Sequence, residues 1–121
     1  MLSFCQAKIC SGFDLVADTL HLEERIADCD LVVTGEGRID GQTLEGKGPA
    51  GVASLARKHH KPVLAFAGSI AENPAVDSLF DAHCAIIDEP VVLELAMGRG
   101  AEFLTRSAAR AARLLQLGNR L

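Results

Sequence analysis

The chain has no tryptophan and no tyrosine among its 121 residues, and five phenylalanines are its only Phe, Trp or Tyr side chains. A core built from it must therefore be aliphatic, and with 49% apolar residues there is enough material to form one. No apolar run approaches the roughly 20 residues that cross a bilayer as a helix. Met1-Leu-Ser-Phe lacks the basic start and long apolar stretch of a secretory signal. No C-x-x-C pair occurs among Cys5, Cys10, Cys29 and Cys84, so reduced structural thiols in a cytoplasmic protein are expected. There is no basic excess either: net charge is −4. Five arginines against one glutamate give residues 99–121 a charge of +4, leaving −8 on residues 1–98. That balance argues against a nucleic-acid partner.

What the chain does have is glycine in one place. Six of its eleven glycines fall between Gly35 and Gly51. The apolar run Leu31-Val32-Val33 leads into this stretch, and a helix-like segment, Pro49 to His60, leads out. Strand, glycine-rich loop and helix N-terminus form an arrangement that binds phosphate, because backbone N–H groups can approach an anion closely. The stretch also holds Glu36, Arg38, Asp40, Thr43 and Lys47. In an extended segment the alternating Glu36, Arg38 and Asp40 face one side. Such a trio can clamp an anion, orient a hydroxyl or hold Mg²⁺. Against this stands the plainer reading of a solvated charged loop.

The rest of the chain reads as alternating helices and apolar strands. Phe13 to Cys29 is helical by periodicity, with a break near Thr19. Asp30–Thr34, Pro62–Ala67 and Ala85–Ile87 read as buried strands. Pro49–His60, Glu89–Met97 and Ala101–Leu117 read as helices, the first with Val52, Leu55 and Ala56 on its buried face. In the last, Arg106, Arg110 and Arg113 form a solvated face opposite Phe103, Leu104, Ala108, Ala111 and Leu115. Strands apolar throughout indicate a parallel sheet covered on both faces. The first two strands should be parallel neighbours joined through the Pro49–His60 helix. Ligands bind beyond the carboxyl ends of such strands, which here are the glycine stretch and Gly68-Ser69. Three strands are few for a doubly wound domain, so either the start of the chain adds another or something outside these residues completes the sheet.

Two familiar motifs fall short. Gly41 to Lys47 matches G-x-x-x-x-G-K, but Gly48 stands where a P-loop needs a hydroxyl for Mg²⁺. Gly35-x-Gly37 begins a dinucleotide fingerprint that Asp40 breaks. His59-His60 has no second cluster with which to bind a metal, and fits a solvated helix end.

The string Thr34-Gly-Glu-Gly-Arg-Ile-Asp-Gly-Gln-Thr43, followed by Gly46-Lys47, Pro49-Ala-Gly-Val-Ala53 and Pro62-Val-Leu-Ala-Phe-Ala-Gly68, resembles the glycerate kinase type-1 family. Ser11 to Val16, Leu93 to Met97 and the last helix extend the likeness to nearly the whole chain. The resemblance implies an α/β, Rossmann- or flavodoxin-like fold in a much longer kinase of two domains. Residues 1–121 would be a single α/β segment from its C-terminal part. It implies phosphoryl transfer from ATP, with Mg²⁺, to a hydroxyl of glycerate. On that reading the catalytic candidates are Glu36, Arg38 and Asp40. Gly35, Gly37, Gly41, Thr43, Lys47, Gly68 and Ser69 are candidates for holding substrate or phosphate. Gly48 departs from the Thr or Val expected there. The expected partners are ATP, glycerate, and either the missing part of the enzyme or a second copy. The alternative is a non-catalytic remnant or nucleotide-binding module of the same fold.

Overall fold

The computed structural model describes residues 12–45 and 48–121. Lys47 and Gly46, with residues 1–11, lie outside them, so the Lys47 expectation is not addressed further. Helices α1 (Gly12–Leu20) and α2 (Leu22–Ala27) precede strand β1 (Val32–Ile39). A 3₁₀ turn (Gly41–Glu45), helix α3 (Pro49–Lys58) and strand β2 (Val63–Ile70) follow. Helix α4 (Pro74–Leu79), strand β3 (Ala82–Ala85) and helices α5 (Leu93–Gly98) and α6 (Gly100–Asn119) complete the order.

Among the described residues the strands form one sheet in the order β1-β2-β3, parallel throughout. β2 is central, and Val63 to Ala67 are all buried, as its uninterrupted apolar sequence requires. Its alternate residues point to opposite layers. On one face Val63, Ala65 and Ala67 join Val32 of β1 and pack with Ile26, Ala53, Ala56, Val76 and Phe80 from the α2–α4 layer. On the other, Leu64 and Phe66 pack against Ala111 of α6. This is the expected α/β sheet, with few strands. Val33, paired with Leu64 on that second face, is 57% exposed. Leu114, Leu115 and Leu117 of α6 are exposed as well.

Several boundaries move from their sequence-based positions. β1 runs on to Ile39 instead of stopping at Thr34, and β2 runs on to Ile70. The register passes from Val32↔Val63 to Glu36↔Ala67 and resumes at Arg38↔Ser69 and Ile39↔Ile70. Glycine read as a strand breaker, but here it permits close approach. A Cβ on Gly68 would lie 2.7 Å from the Gly37 carbonyl oxygen. β3 is Ala82–Ala85 rather than Ala85–Ile87, because pairing with Leu64–Ala67 sets its position. Asp81 fixes the entry: its backbone N–H donates to the Val63 carbonyl, and its Oδ2 accepts from the Val63 N–H at 2.7 Å.

The helical break comes at His21, in left-handed backbone with φ of 53°, rather than at Thr19. Helix α4 was not foreseen, although Asn73-Pro74 carries its signature. The Asn73 side chain caps the Ala75 N–H, and Pro74 occupies the first turn. α5 starts at Leu93, four residues after Glu89. In α3 the buried positions are Ala50, Ala53 and Ala56, with Val52 and Leu55 partly buried beside them. In α6 the buried stripe is Phe103, Ser107 and Ala111; Leu104 and Leu115 stay exposed. Arg106 and Arg110 keep their exposed face, at 38% and 52% side-chain exposure, and both also bind Asp88, which sequence did not indicate.

Gly68→Ala should destabilise the chain by about 1–3 kcal/mol, the usual cost of overpacking a site that cannot relax. The Cβ would push on a backbone oxygen of the neighbouring strand rather than on a movable side chain. Urea denaturation measures this, and Gly37→Ala, whose Cβ meets nothing within 4 Å, is the control.

Candidate functional site

The extended pairing carries four sequence candidates out of the loop and onto a strand. Gly35, Glu36, Gly37 and Arg38 belong to β1, beside Gly68 and Ser69 of β2. The chain then leaves the sheet at Asp40 and enters the 3₁₀ turn, which starts at Gly41. Gly41 lies against Asn73, the cap of α4: a Cβ there would sit 3.6 Å from Asn73 Nδ2. The carboxyl ends of β1 and β2 therefore form a shelf, closed on one side by the turn and on another by α4.

Hydrogen bonds tie this shelf together around Thr43. Its backbone N–H donates to the Asp40 carbonyl at 3.0 Å, and its Oγ1 accepts from the Asp40 N–H at 3.1 Å. The Thr43 hydroxyl donates to Glu36 Oε2 at 2.9 Å. Asp40 Oδ1 accepts from the Gln42 N–H at 2.9 Å, an Asx-type turn. Asp40 Oδ2 accepts from Arg38 Nε at 3.2 Å. Glu36, Arg38, Asp40 and Thr43, picked from sequence as separate candidates, thus form one network. Their exposures differ: Thr43 is 4% exposed, whereas the Arg38 side chain is 66% exposed. Arg38 makes a single bond through Nε to Asp40, so its terminal fork faces no carboxylate of this network.

Helix α3 starts just beyond the turn. Its N-cap Gly48 has φ of 48° and provides no side-chain cap. A Thr or Val would be strained in that conformation, which accounts for glycine here. Val52 N–H donates to the Gly48 carbonyl at 3.0 Å, so the helical bonding begins there.

A second charged cluster lies past the carboxyl end of β3, and sequence reasoning missed it. Asp88 binds Arg106 at 2.8 Å and also pairs with Arg110. Arg99 pairs with Glu89 and binds Glu102 at 2.8 Å. Arg99 and Arg106 both lie over the fully buried Phe103 ring, 4.7 and 5.1 Å from its centre. Asp88-Glu89 in a strand exit, ahead of arginines spaced along a helix, was the available signal. The cluster holds the segment after β3 against α6. At the carboxyl end of α3, His59 and Lys58 engage Glu23 at 2.9 and 2.6 Å. Among the described residues no three His, Cys, Asp or Glu side chains converge as a metal centre. None of the described helices is long and apolar enough to cross a membrane. A cavity of about 350 Å³ opens by Arg57, His60, Lys61 and Asp81, at the amino end of β2 and so away from the shelf.

Sequence comparison matches residues 1–116 to the glycerate kinase family. The chain belongs to that family. It is 38% identical to glycerate 2-kinase of Escherichia coli K12 over 122 residues, covering 99% of this chain and 32% of that protein. It is 40% identical to glycerate kinase of Bacillus subtilis 168, covering 97% of this chain and 31% of the relative. A crystal structure described as glycerate kinase 2 from Salmonella typhimurium LT2 superposes with a TM-score of 0.74 at 42% identity. It is matched over 98% of this chain and 30% of its own. The chain thus spans about a third of the length of the glycerate kinases it matches, as a partial α/β domain of the glycerate kinase fold.

The charged cluster predicts acid sensitivity. Hydrogen bonding from Arg110, with the charges of Arg106 and Arg110, holds the Asp88 carboxyl below its ordinary value of 3.8. Hydrogen bonding from Arg99, then its charge, lowers Glu102 from 4.5. Folded values below unfolded ones mean the stabilisation is complete above about pH 4.5 and is lost as pH falls through the folded values. Melting temperature should therefore drop on acidification below about pH 4, and the drop should be smaller in Asp88→Asn. An unchanged profile in Asp88→Asn would remove the cluster as the cause. All these groups are solvent-accessible, so 1 M salt should blunt the effect.

Proposed function

We propose that this chain supplies one wall of a glycerate kinase active site, the shelf of Glu36, Arg38, Asp40, Gly68 and Ser69. The observation that carries this reading is the network itself: an exposed guanidinium and two carboxylates sit on adjacent backbone at the carboxyl end of a parallel sheet. Open α/β sheets bind ligands there. Phosphoryl transfer needs alignment and charge neutralisation more than covalent help. Arg38 offers a fork for the glycerate carboxylate or the transferring phosphate. Glu36 accepts the proton of the substrate hydroxyl and orients its oxygen. The glycines of the shelf let backbone groups approach the phosphates, and the N-terminus of α3 favours their negative charge.

ATP is the phosphoryl donor in this reading, and Mg²⁺ accompanies it. The carboxylates of Glu36 and Asp40 suit an ion that takes one or two protein oxygens and completes its shell with phosphate. Asp40, whose Oδ2 accepts from exposed Arg38, is the residue that would hold it. The ion would neutralise phosphate charge. Glycerate kinases of known name are about three times longer, and the remainder of such a chain is the partner this wall faces. Exposed Val33 beside Leu64, with Leu114, Leu115 and Leu117 of α6, forms apolar surface suited to that contact.

A coupled kinase assay with ATP, Mg²⁺ and D-glycerate tests the proposal. These 121 residues alone should show little or no turnover. Joined to the upstream segments that the longer relatives carry, they should turn over. In that complete enzyme Arg38→Lys keeps the charge but loses the fork, and should lower kcat/KM about tenfold or more. Glu36→Gln should lower kcat about 10²-fold or more. Wild-type kinetics in both variants would leave the shelf a structural corner, and no turnover in any form would favour a non-catalytic remnant.

A further inference from the structure

The geometry points to Thr43 as a positioning residue: its buried hydroxyl holds the Glu36 carboxylate in one orientation on the Arg38 side of β1. This rests on the kinase reading above and changes the part Thr43 plays in it. Sequence reasoning placed Thr43 among the groups that hold substrate or phosphate. Its side chain is 4% exposed, and its hydroxyl is already committed at both ends. The Asp40 N–H donates to Oγ1 at 3.1 Å, so the hydroxyl proton must point elsewhere. It points to Glu36 Oε2, 2.9 Å away. A hydroxyl has one proton to give, and this one is spent on Glu36.

Glu36 needs such a partner. It lies on an exposed part of an edge strand, and a glutamate there has three rotatable bonds with staggered wells of similar energy. Threonine is suited to fix it. Its β-branched side chain is stiff about χ1, and the 3₁₀ turn holds its backbone through the Thr43 N–H to the Asp40 carbonyl. The same turn aligns Asp40, which binds Gln42 N–H and Arg38. One buried side chain thereby sets the relation between the proton acceptor and the anion clamp.

The first test uses the 121-residue chain itself. Three-bond Hα–Hβ couplings of Glu36 should report a single χ1 rotamer, and the Thr43 hydroxyl proton should exchange slowly with water. Averaged Glu36 couplings in the unmodified chain would overturn the proposal without any variant. Thr43→Val removes the hydroxyl at nearly constant volume, and should release Glu36 to averaged couplings and shift the Asp40 amide. Thr43→Ser should restore both. In the complete enzyme, Thr43→Val should lower kcat about tenfold to 100-fold, the scale of a misplaced catalytic group. Its KM for ATP should stay within about twofold, and Thr43→Ser should recover most of kcat. Unchanged kcat in a folded Thr43→Val with a mobile Glu36 would overturn the positioning role. Loss of turnover in Thr43→Ser as well, with Glu36 still fixed, would overturn it too, since the hydroxyl would then not be the cause. Absence of turnover in the unmodified complete enzyme would sink the kinase reading, and the coupling measurements would still decide whether Thr43 fixes Glu36.

Discussion

β1 and β2 stay hydrogen-bonded past the point where both turn to glycine, and the candidate site depends on that pairing. Parallel ladders need a long crossover, supplied here by the 3₁₀ turn and α3 between Ile39 and Val63. Because pairing continues to Ile39↔Ile70, Glu36 and Arg38 stand on a strand rather than in a loose loop. Backbone pairing with β2 holds these residues on one side of β1, and side chains two apart on a strand share a face. Had β1 stopped at Thr34, Glu36 would have no fixed relation to Thr43. The close approach of Gly68 to the Gly37 carbonyl is the local cost of bringing the two strands together there.

The rest of the structure divides around β2. One layer, α2 to α4, packs aliphatic and alanine side chains tightly against Val63, Ala65 and Ala67. Small residues in α3 let the helix approach the sheet, so the turn ahead of it reaches the strand ends. The other layer is thin: α6 reaches Leu64 and Phe66 chiefly through Ala111. The charged cluster of Asp88, Glu89, Glu102 and three arginines holds α6 in place where apolar contact is limited. Ion pairs of this exposure contribute little singly and more as a network. Val33 and the α6 leucines leave apolar area exposed on this side of the sheet. That accords with a match to about a third of each longer relative.

Much of this was legible in the sequence, and the reasons are specific. The run Val63 to Ala67, apolar at every position, marked a strand buried on both faces. Pro49 marked the start of α3. The string from Thr34 to Thr43 marked the family, and of the alternating trio Glu36 and Arg38 lie on β1 while Asp40 follows its end. Errors clustered where local preference opposed tertiary pairing. Gly35 and Gly37 suggested a loop because glycine weakens an isolated strand, yet a partner strand supplied the hydrogen bonds. The apolar run Ala85–Ile87 suggested the third strand, yet Asp81 and the β2 register placed it earlier.

The sequence alone determined the α/β class, the parallel order of β1 and β2, the family, and which stretch holds the charged residues. Those properties follow from periodicity, from proline and glycine positions, and from a long specific string, all of which are local. Only the tertiary structure decided what each polar group in that stretch touches. Thr43 reads identically in sequence whether its hydroxyl faces a ligand or Glu36. In the folded chain that hydroxyl is enclosed, accepting from the Asp40 N–H and donating to Glu36. Likewise nothing in the exposed stripe of Arg106 and Arg110 shows that the exit of β3 brings Asp88, 18 and 22 residues earlier in the chain, against them. Contacts across such separations depend on how strands and helices stack, and no periodicity encodes them.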